Sequence, residues 1–197
     1  MIAPDAVPRS RRASIFPVAA LLAGFTAAVL IRLTVGGPGV ARSAPAGLGF
    51  AACLVLLSAA AGTALRPSWR AVLVGALGGV VLCLPPLLTR AVLGWTPRPG
   101  GSYLSWALVV TIVAVAEEVL LRGALYDAVI AWRGEPAAIA VAAVAFAALH
   151  VPLYGWHVAL LDLTVGVWLG ALRSVARSPT APAVAHVVAD LAGWWLR

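Results

Sequence analysis

Two adjacent acids, Glu117 and Glu118, stand inside an otherwise lipid-soluble stretch from Leu104 to Leu125, and Arg122 follows Glu118 by one helical turn. A carboxylate in hydrocarbon costs at least about 3 kcal/mol, so such groups are rare, face inward and mark chemistry. The chain holds only seven acids in all, so a neighbouring pair with an arginine asks for a cause. Further along, His150, Asp162, His186 and Asp190 also fall within apolar runs, and Asp127 and His157 lie near the ends of such runs.

Spacing sorts these residues. On a helix, positions four apart share a face, whereas adjacent positions diverge by about 100°. Glu118 and Arg122 therefore stack, and the arginine can hold that carboxylate in place, while Glu117 points elsewhere and is free to face a cavity. His186 and Asp190 stack, so the aspartate can fix the imidazole, and Phe146 stacks beneath His150. Three such polar faces, converging, would make a wet hollow within the membrane. A buried carboxylate there can act as general base on water, and an imidazole or carboxamide can position the water or stabilise an oxyanion. A glutamate with two histidines could instead hold a divalent metal that activates the water. Each arrangement hydrolyses amides. Other recipes lack their residues: the sequence has no HExxH, GxSG, GxGD, P-loop or GxGxxG.

The elements that must carry these residues are membrane helices. The chain is 62% hydrophobic and 11% charged, with mean hydropathy +1.00, where a soluble domain carries roughly 25% charged residues. The expected fold is all-α, a polytopic bundle of about seven spans: Ile15–Ile31, Gly47–Leu65, Ala71–Leu88, Tyr103–Ile130, Pro136–Val151, Gly155–Leu172 and Pro182–Leu196. The fourth exceeds what a bilayer needs, and the short fifth suits a position shielded by protein. Pro, Gly and Arg fill the connections, and frequent Ala, Gly and Ser predict close helix packing. The organisation expected is a tail over 1–14, three spans over 15–102, and a catalytic core over 103–197.

The net charge of +7 comes from 14 arginines without a lysine, scattered in short loops, which suits topology control and anionic headgroups rather than nucleic acid. With the N-terminus cytoplasmic, that side holds Arg9, Arg11, Arg12, Arg66, Arg70, Arg133, Arg173 and Arg177, against Arg32, Arg42, Arg90, Arg98 and Arg197 opposite. That count predicts an N-in, multi-pass protein of the plasma membrane. The arginine-for-lysine bias and heavy Ala and Val usage suit a GC-rich bacterial genome. Cys53 and Cys83 read as small buried hydrophobes. Asp162 reads as a pairing partner for Arg122 or a histidine. His157 beside Trp156 reads as interfacial, and Trp69, Trp95, Trp132, Trp156 and Trp194 read as an aromatic belt.

The ordered trio Glu117-Glu118-Val119-Leu120-Leu121-Arg122, Phe146-Ala147-Ala148-Leu149-His150 and His186-Val187-Val188-Ala189-Asp190 resembles the CPBP intramembrane protease family, also called the CAAX-protease and bacteriocin-processing (Abi) family. Its pattern is EExxxR, FxxxH, then HxxxN or HxxxD on successive membrane helices. The resemblance covers Tyr103 to Leu196. It implies an endopeptidase acting on a membrane-associated or lipidated protein or peptide, with Glu117 activating water, His150 positioning it, His186 and Asp190 stabilising the oxyanion, and Glu118 and Arg122 in support. It leaves the cofactor open between a divalent metal such as zinc, with Glu117, His150, His186 and Asp190 as candidate ligands, and a metal-free glutamate mechanism. Many relatives carry Asn where this chain has Asp190, and an aspartate carboxylate is a poor oxyanion donor but a fair metal ligand. The alternative function is a non-catalytic membrane binding, immunity or accessory protein that keeps the polar cluster. A proton-coupled carrier would need paired, interrupted repeats, and the sequence has no such repeat.

Overall fold

The structure is a computed structural model and describes residues 14–93 and 102–196. The N-terminal tail with Arg9, Arg11 and Arg12, the stretch holding Trp95 and Arg98, and Arg197 lie outside the described residues. Among the described residues the regular structure is helical throughout, in seven rods: α1 (Phe16–Gly36), α2 (Ala44–Ala60), α3 (Trp69–Leu93), α4 (Tyr103–Arg133), α5 (Glu135–Tyr154), α6 (Ala159–Ala176) and α7 (Thr180–Leu196). Each answers one expected apolar segment. Five contain stretches long and apolar enough to cross a bilayer: Phe16–Gly36, Trp69–Leu88, Tyr103–Arg133, Glu135–Tyr154 and Trp156–Ala176. The other two, α2 and α7, have 17 residues each. The protein is a polytopic helical membrane bundle.

Local chemistry sets the ends. Pro17 and Pro136 sit in the first turns of α1 and α5, where proline's missing N–H removes no helical bond. Ser43 caps α2 by accepting from the Ala46 N–H at 3.4 Å. Gly134 and Gly155, at φ 87° and 100°, stop α4 and α5 in backbone conformations that side chains resist. Several boundaries differ from expectation: α2 stops at Ala60 rather than Leu65, α3 extends to Leu93 and α6 to Ala176. The sixth span opens with a 3-10 turn, Trp156–Val158, before α6 begins at Ala159. The first helix runs past Ile31 to Gly36, which places Arg32 inside a helix rather than in a loop.

Small residues let the rods approach. Gly75 and Gly79, one turn apart on α3, face α7. A Cβ on Gly79 would lie 2.7 Å from Val188 Cβ and 2.9 Å from the Ala185 carbonyl oxygen, so only glycine admits the backbone that carries His186. Gly166 on α6 does the same against α5, where a Cβ would stand 2.7 Å from Ala143 Cα. Trp168 Nε1 donates to the Gly78 carbonyl at 3.1 Å and ties α6 to α3. The buried core between α1, α2, α4 and α5 holds Phe25, Phe50, Leu54, Leu120, Leu121, Tyr126, Phe146 and Leu149.

Helix α4 is not uniform. From Val119 to Leu125, immediately after the acid pair, it winds as a π-helix, a local widening that often accompanies functional sites. The Arg122 carbonyl in this segment accepts a hydrogen bond from Arg173 Nε at 2.8 Å, and Arg173 Nη2 also binds Asp127 at 2.7 Å. Trp194 departs from the belt expected of it. It is buried, with its ring 4.9 Å from Trp106 and 5.6 Å from Tyr103, pinning the end of α7 to the start of α4. Trp69 and Trp156 are exposed, as a belt requires.

Candidate active site

Glu118 is the hub. Its carboxylate is fully buried, and one oxygen, Oε1, receives Arg122 Nη1 at 2.8 Å and faces His186 Nδ1 at 3.0 Å. The first and third polar faces are thus joined through a single atom. Arg122 is equally buried. Its Nη2 donates to the Gly166 carbonyl at 3.1 Å, and its guanidinium lies 4.8 Å from the centre of the Phe146 ring. The π-wound segment, the glycine contact and the aromatic face therefore all hold one cation in place. A buried pair of this kind keeps both charges compensated and gives His186 a fixed neighbour.

His186 stands between two carboxylates. Beyond the Glu118 contact, its Nε2 lies 3.7 Å from Asp190 Oδ2, one turn further along α7. The Asp190 side chain is 38% exposed, so this end of the relay meets the surroundings of the bundle. His150 on α5 is oriented differently. Its Nδ1 is 2.9 Å from the Phe146 carbonyl, and because a carbonyl only accepts, Nδ1 carries the hydrogen and Nε2 keeps its lone pair. The Phe146 ring is 4.4 Å from the His150 ring and 5.4 Å from the His186 ring, so one phenyl group spaces both imidazoles.

Glu117 is nearly buried, with 3% exposure, and does not face an open cavity as its helical position alone suggests. It points toward α1, where Arg32 Nη1 approaches Glu117 Oε1 to 4.0 Å. It also lies within electrostatic range of His186, Glu118 and Asp190, and His150 lies within range of His186, Arg32 and Arg122. The acid pair and both histidines thus share one neighbourhood. Asp162, on the first turn of α6, is within range of His186, but its buried Oδ2 has no hydrogen-bond partner among the described residues. The pairing with Arg122 expected of it is not formed, because the Arg122 terminal nitrogens are committed to Glu118 and Gly166.

Arg32 is the residue that sequence reasoning missed. An arginine between an apolar run and a glycine-rich turn reads as a loop cation, yet its side chain is 7% exposed and stacks over Phe50 of α2 at 4.9 Å. The signal that could have found it is the helical register: Val18, Leu21, Phe25, Ala28 and Arg32 follow at spacings of three and four, one continuous buried face of α1.

The candidate metal ligands Glu117, His150, His186 and Asp190 are not gathered into a binding set. Among the described residues there is no group of three or more His, Cys, Asp or Glu able to hold a metal ion. His186 Nδ1 is held against Glu118 Oε1 at 3.0 Å, and a nitrogen engaged in donation has no lone pair for a metal.

Residues 99–192 match the family model described as Rce1-like, type II CAAX prenyl endopeptidase. The match covers a little under half of the chain and agrees with the resemblance carried by the three motifs. The Rce1-like segment spans α4 to most of α7 and takes in Glu117, Glu118, Arg122, His150, His186 and Asp190. It leaves out Arg32 and the Gly75–Gly79 face of α3. No curated protein and no solved structure matches the chain.

Proposed function

We propose that the protein hydrolyses a peptide bond in a membrane-associated or lipidated protein, with Glu117 as general base on water. The supporting observation is a nearly buried carboxylate beside the Glu118–His186–Asp190 relay and within range of His150 and Arg32. A base shielded from bulk water, next to groups of opposite sign, is suited to take a proton and later return it. In this reading, His150 holds the attacking water through the Nε2 lone pair that its Phe146 contact leaves open. Water oxygen bonds to the carbonyl carbon as its proton passes to Glu117. The carbonyl oxygen becomes an oxyanion, then the carbon–nitrogen bond breaks and the proton moves from Glu117 to the departing amine. Glu118 and Arg122 fix His186 rather than react. No step passes through a metal.

The three N-terminal helices frame this core, and the N-terminus lies in the cytoplasm of a bacterial cell whose plasma membrane holds the bundle. The test uses purified protein in lipid vesicles and a fluorogenic peptide ending in a prenylated CAAX sequence, alongside an unprenylated copy. Glu117→Gln is expected to lower cleavage by about 10²–10⁴-fold with the helical content unchanged. Unaltered turnover in that variant removes Glu117 as the base. Full biological activity of the variant in cells would favour the accessory role.

A further inference from the structure

We propose that Arg32, on α1 and outside the family segment, supplies the positive charge that receives the oxyanion of the tetrahedral intermediate. The inference rests on the hydrolytic reading above and adds a residue to it. Its basis is a count of which site donors are already spent. Arg122 gives Nη1 to Glu118 and Nη2 to the Gly166 carbonyl. His186 commits Nδ1 to Glu118 at 3.0 Å and turns Nε2 toward Asp190, whose carboxylate lies 3.7 Å away and competes for that N–H. His150 uses its N–H on the Phe146 carbonyl. Asp190 ends in a carboxylate, where an asparagine would present an N–H₂ donor. The reaction nonetheless creates a negative oxygen within a few ångströms of the base, and preorganised donors aimed at that oxygen are commonly the largest contribution to such catalysis.

Arg32 is more than nine-tenths buried, its Nε has no hydrogen-bond partner, and its Nη1 stands 4.0 Å from Glu117 Oε1, beyond hydrogen-bond length. Arg122 Nε is also buried without a hydrogen-bond partner, but both terminal nitrogens of Arg122 are committed, whereas Arg32 reaches Glu117 only at 4.0 Å. The stack on Phe50 holds the guanidinium plane without consuming a donor. A planar cation with open N–H groups, fixed beside the base, is built to take a second anionic oxygen. An arginine placed only to pair with Glu117 would close that distance, as Arg122 does with Glu118 at 2.8 Å. Glu117 can then take its proton while the charge developing on the carbonyl oxygen faces Arg32.

The test separates this role from the hydrolase reading by measuring binding as well as turnover. A phosphinate peptide, which carries a tetrahedral anion where the amide stood, is titrated against wild type, Arg32→Met and Arg32→Lys in vesicles, with the uncleaved amide peptide titrated against the same proteins in a Glu117→Gln background. Arg32→Met is expected to weaken phosphinate binding about 10²-fold and to lower kcat by a similar factor, with amide-peptide affinity within about threefold. Arg32→Lys, which keeps the charge but loses the fork, is expected to recover part of both. Asp190→Asn, which adds a donor, is expected to shrink the Arg32→Met defect. Equal phosphinate affinity in wild type and Arg32→Met, or no phosphinate binding by wild type, overturns the proposal. Loss of turnover in Glu117→Gln with phosphinate affinity still dependent on Arg32 keeps both readings. Retained turnover in Glu117→Gln with the same dependence removes the base and leaves the anion site.

Discussion

Glu118 Oε1 and His186 Nδ1 meet at 3.0 Å, so the central helix of the bundle and its last helix are joined at the site by a polar contact rather than by apolar packing alone. The same oxygen carries Arg122, and removing any member strands the others in a buried setting. Truncating one partner of a buried ion pair typically costs about 3–5 kcal/mol. Arg122→Met is therefore expected to lower the unfolding free energy measured by denaturant titration in mild detergent by an amount in that range, and Arg122→Lys to recover less than half of it, since a lysine cannot serve both Glu118 and the Gly166 carbonyl. An unfolding free energy equal to wild type in Arg122→Met would show that the pair contributes nothing to the fold.

Helix α7 is seated on the glycine face of α3. Gly79→Leu puts a side chain where Val188 and the Ala185 carbonyl already stand, and α7 must shift to make room. A displacement of about 1 Å of a catalytic group can cost on the order of 10²-fold in rate. The expected outcome is a protein that still inserts but cleaves about 10²-fold more slowly. Wild-type kinetics in Gly79→Leu would mean that α7 can relax without moving His186.

Orientation is open to direct measurement. With the N-terminus cytoplasmic, the turn between α5 and α6 faces outward and the turn between α4 and α5 faces inward. In a background lacking the free thiols Cys53 and Cys83, the exposed Trp156 replaced by Cys is expected to react with a membrane-impermeant maleimide on intact cells. The exposed Arg133 replaced by Cys is expected to react only after lysis. The opposite pattern inverts the topology.

Chelators probe the chemistry. With His186 Nδ1 held by Glu118 and no grouped ligand set among the described residues, turnover is expected to survive prolonged treatment with 1,10-phenanthroline at the wild-type rate. Loss of activity restored by added zinc would require the histidines to swing out of their present contacts, and would displace the glutamate mechanism.

The hydrophobic pattern of the chain was enough to find each of the seven rods, because every one is a predominantly apolar run with Pro, Gly or Arg near its ends. Helical spacing was enough to pair Glu118 with Arg122, Phe146 with His150 and His186 with Asp190, since each pair lies within one helix. What local spacing could not reveal is the meeting of helices. The Glu118–His186 contact joins residues far apart in the chain, and the Arg32–Glu117 approach depends on how α1 lies against α4. The π-wound stretch from Val119 to Leu125 is a change of winding that the apolar pattern around it does not encode. For Asp162 the spacing left Arg122 or a histidine as the neighbour, and it is His186 that lies within electrostatic range.

The glycine row of α3 and the guanidinium of α1 both lie upstream of residue 99, where the family match begins. A hybrid that kept the family-matched portion on first helices without those glycines and that arginine would lose, in one exchange, the groove that seats the last helix and the cation that approaches Glu117. Such hybrids should fail even with every motif residue intact, and repairing them would take two changes on separate borrowed helices rather than one.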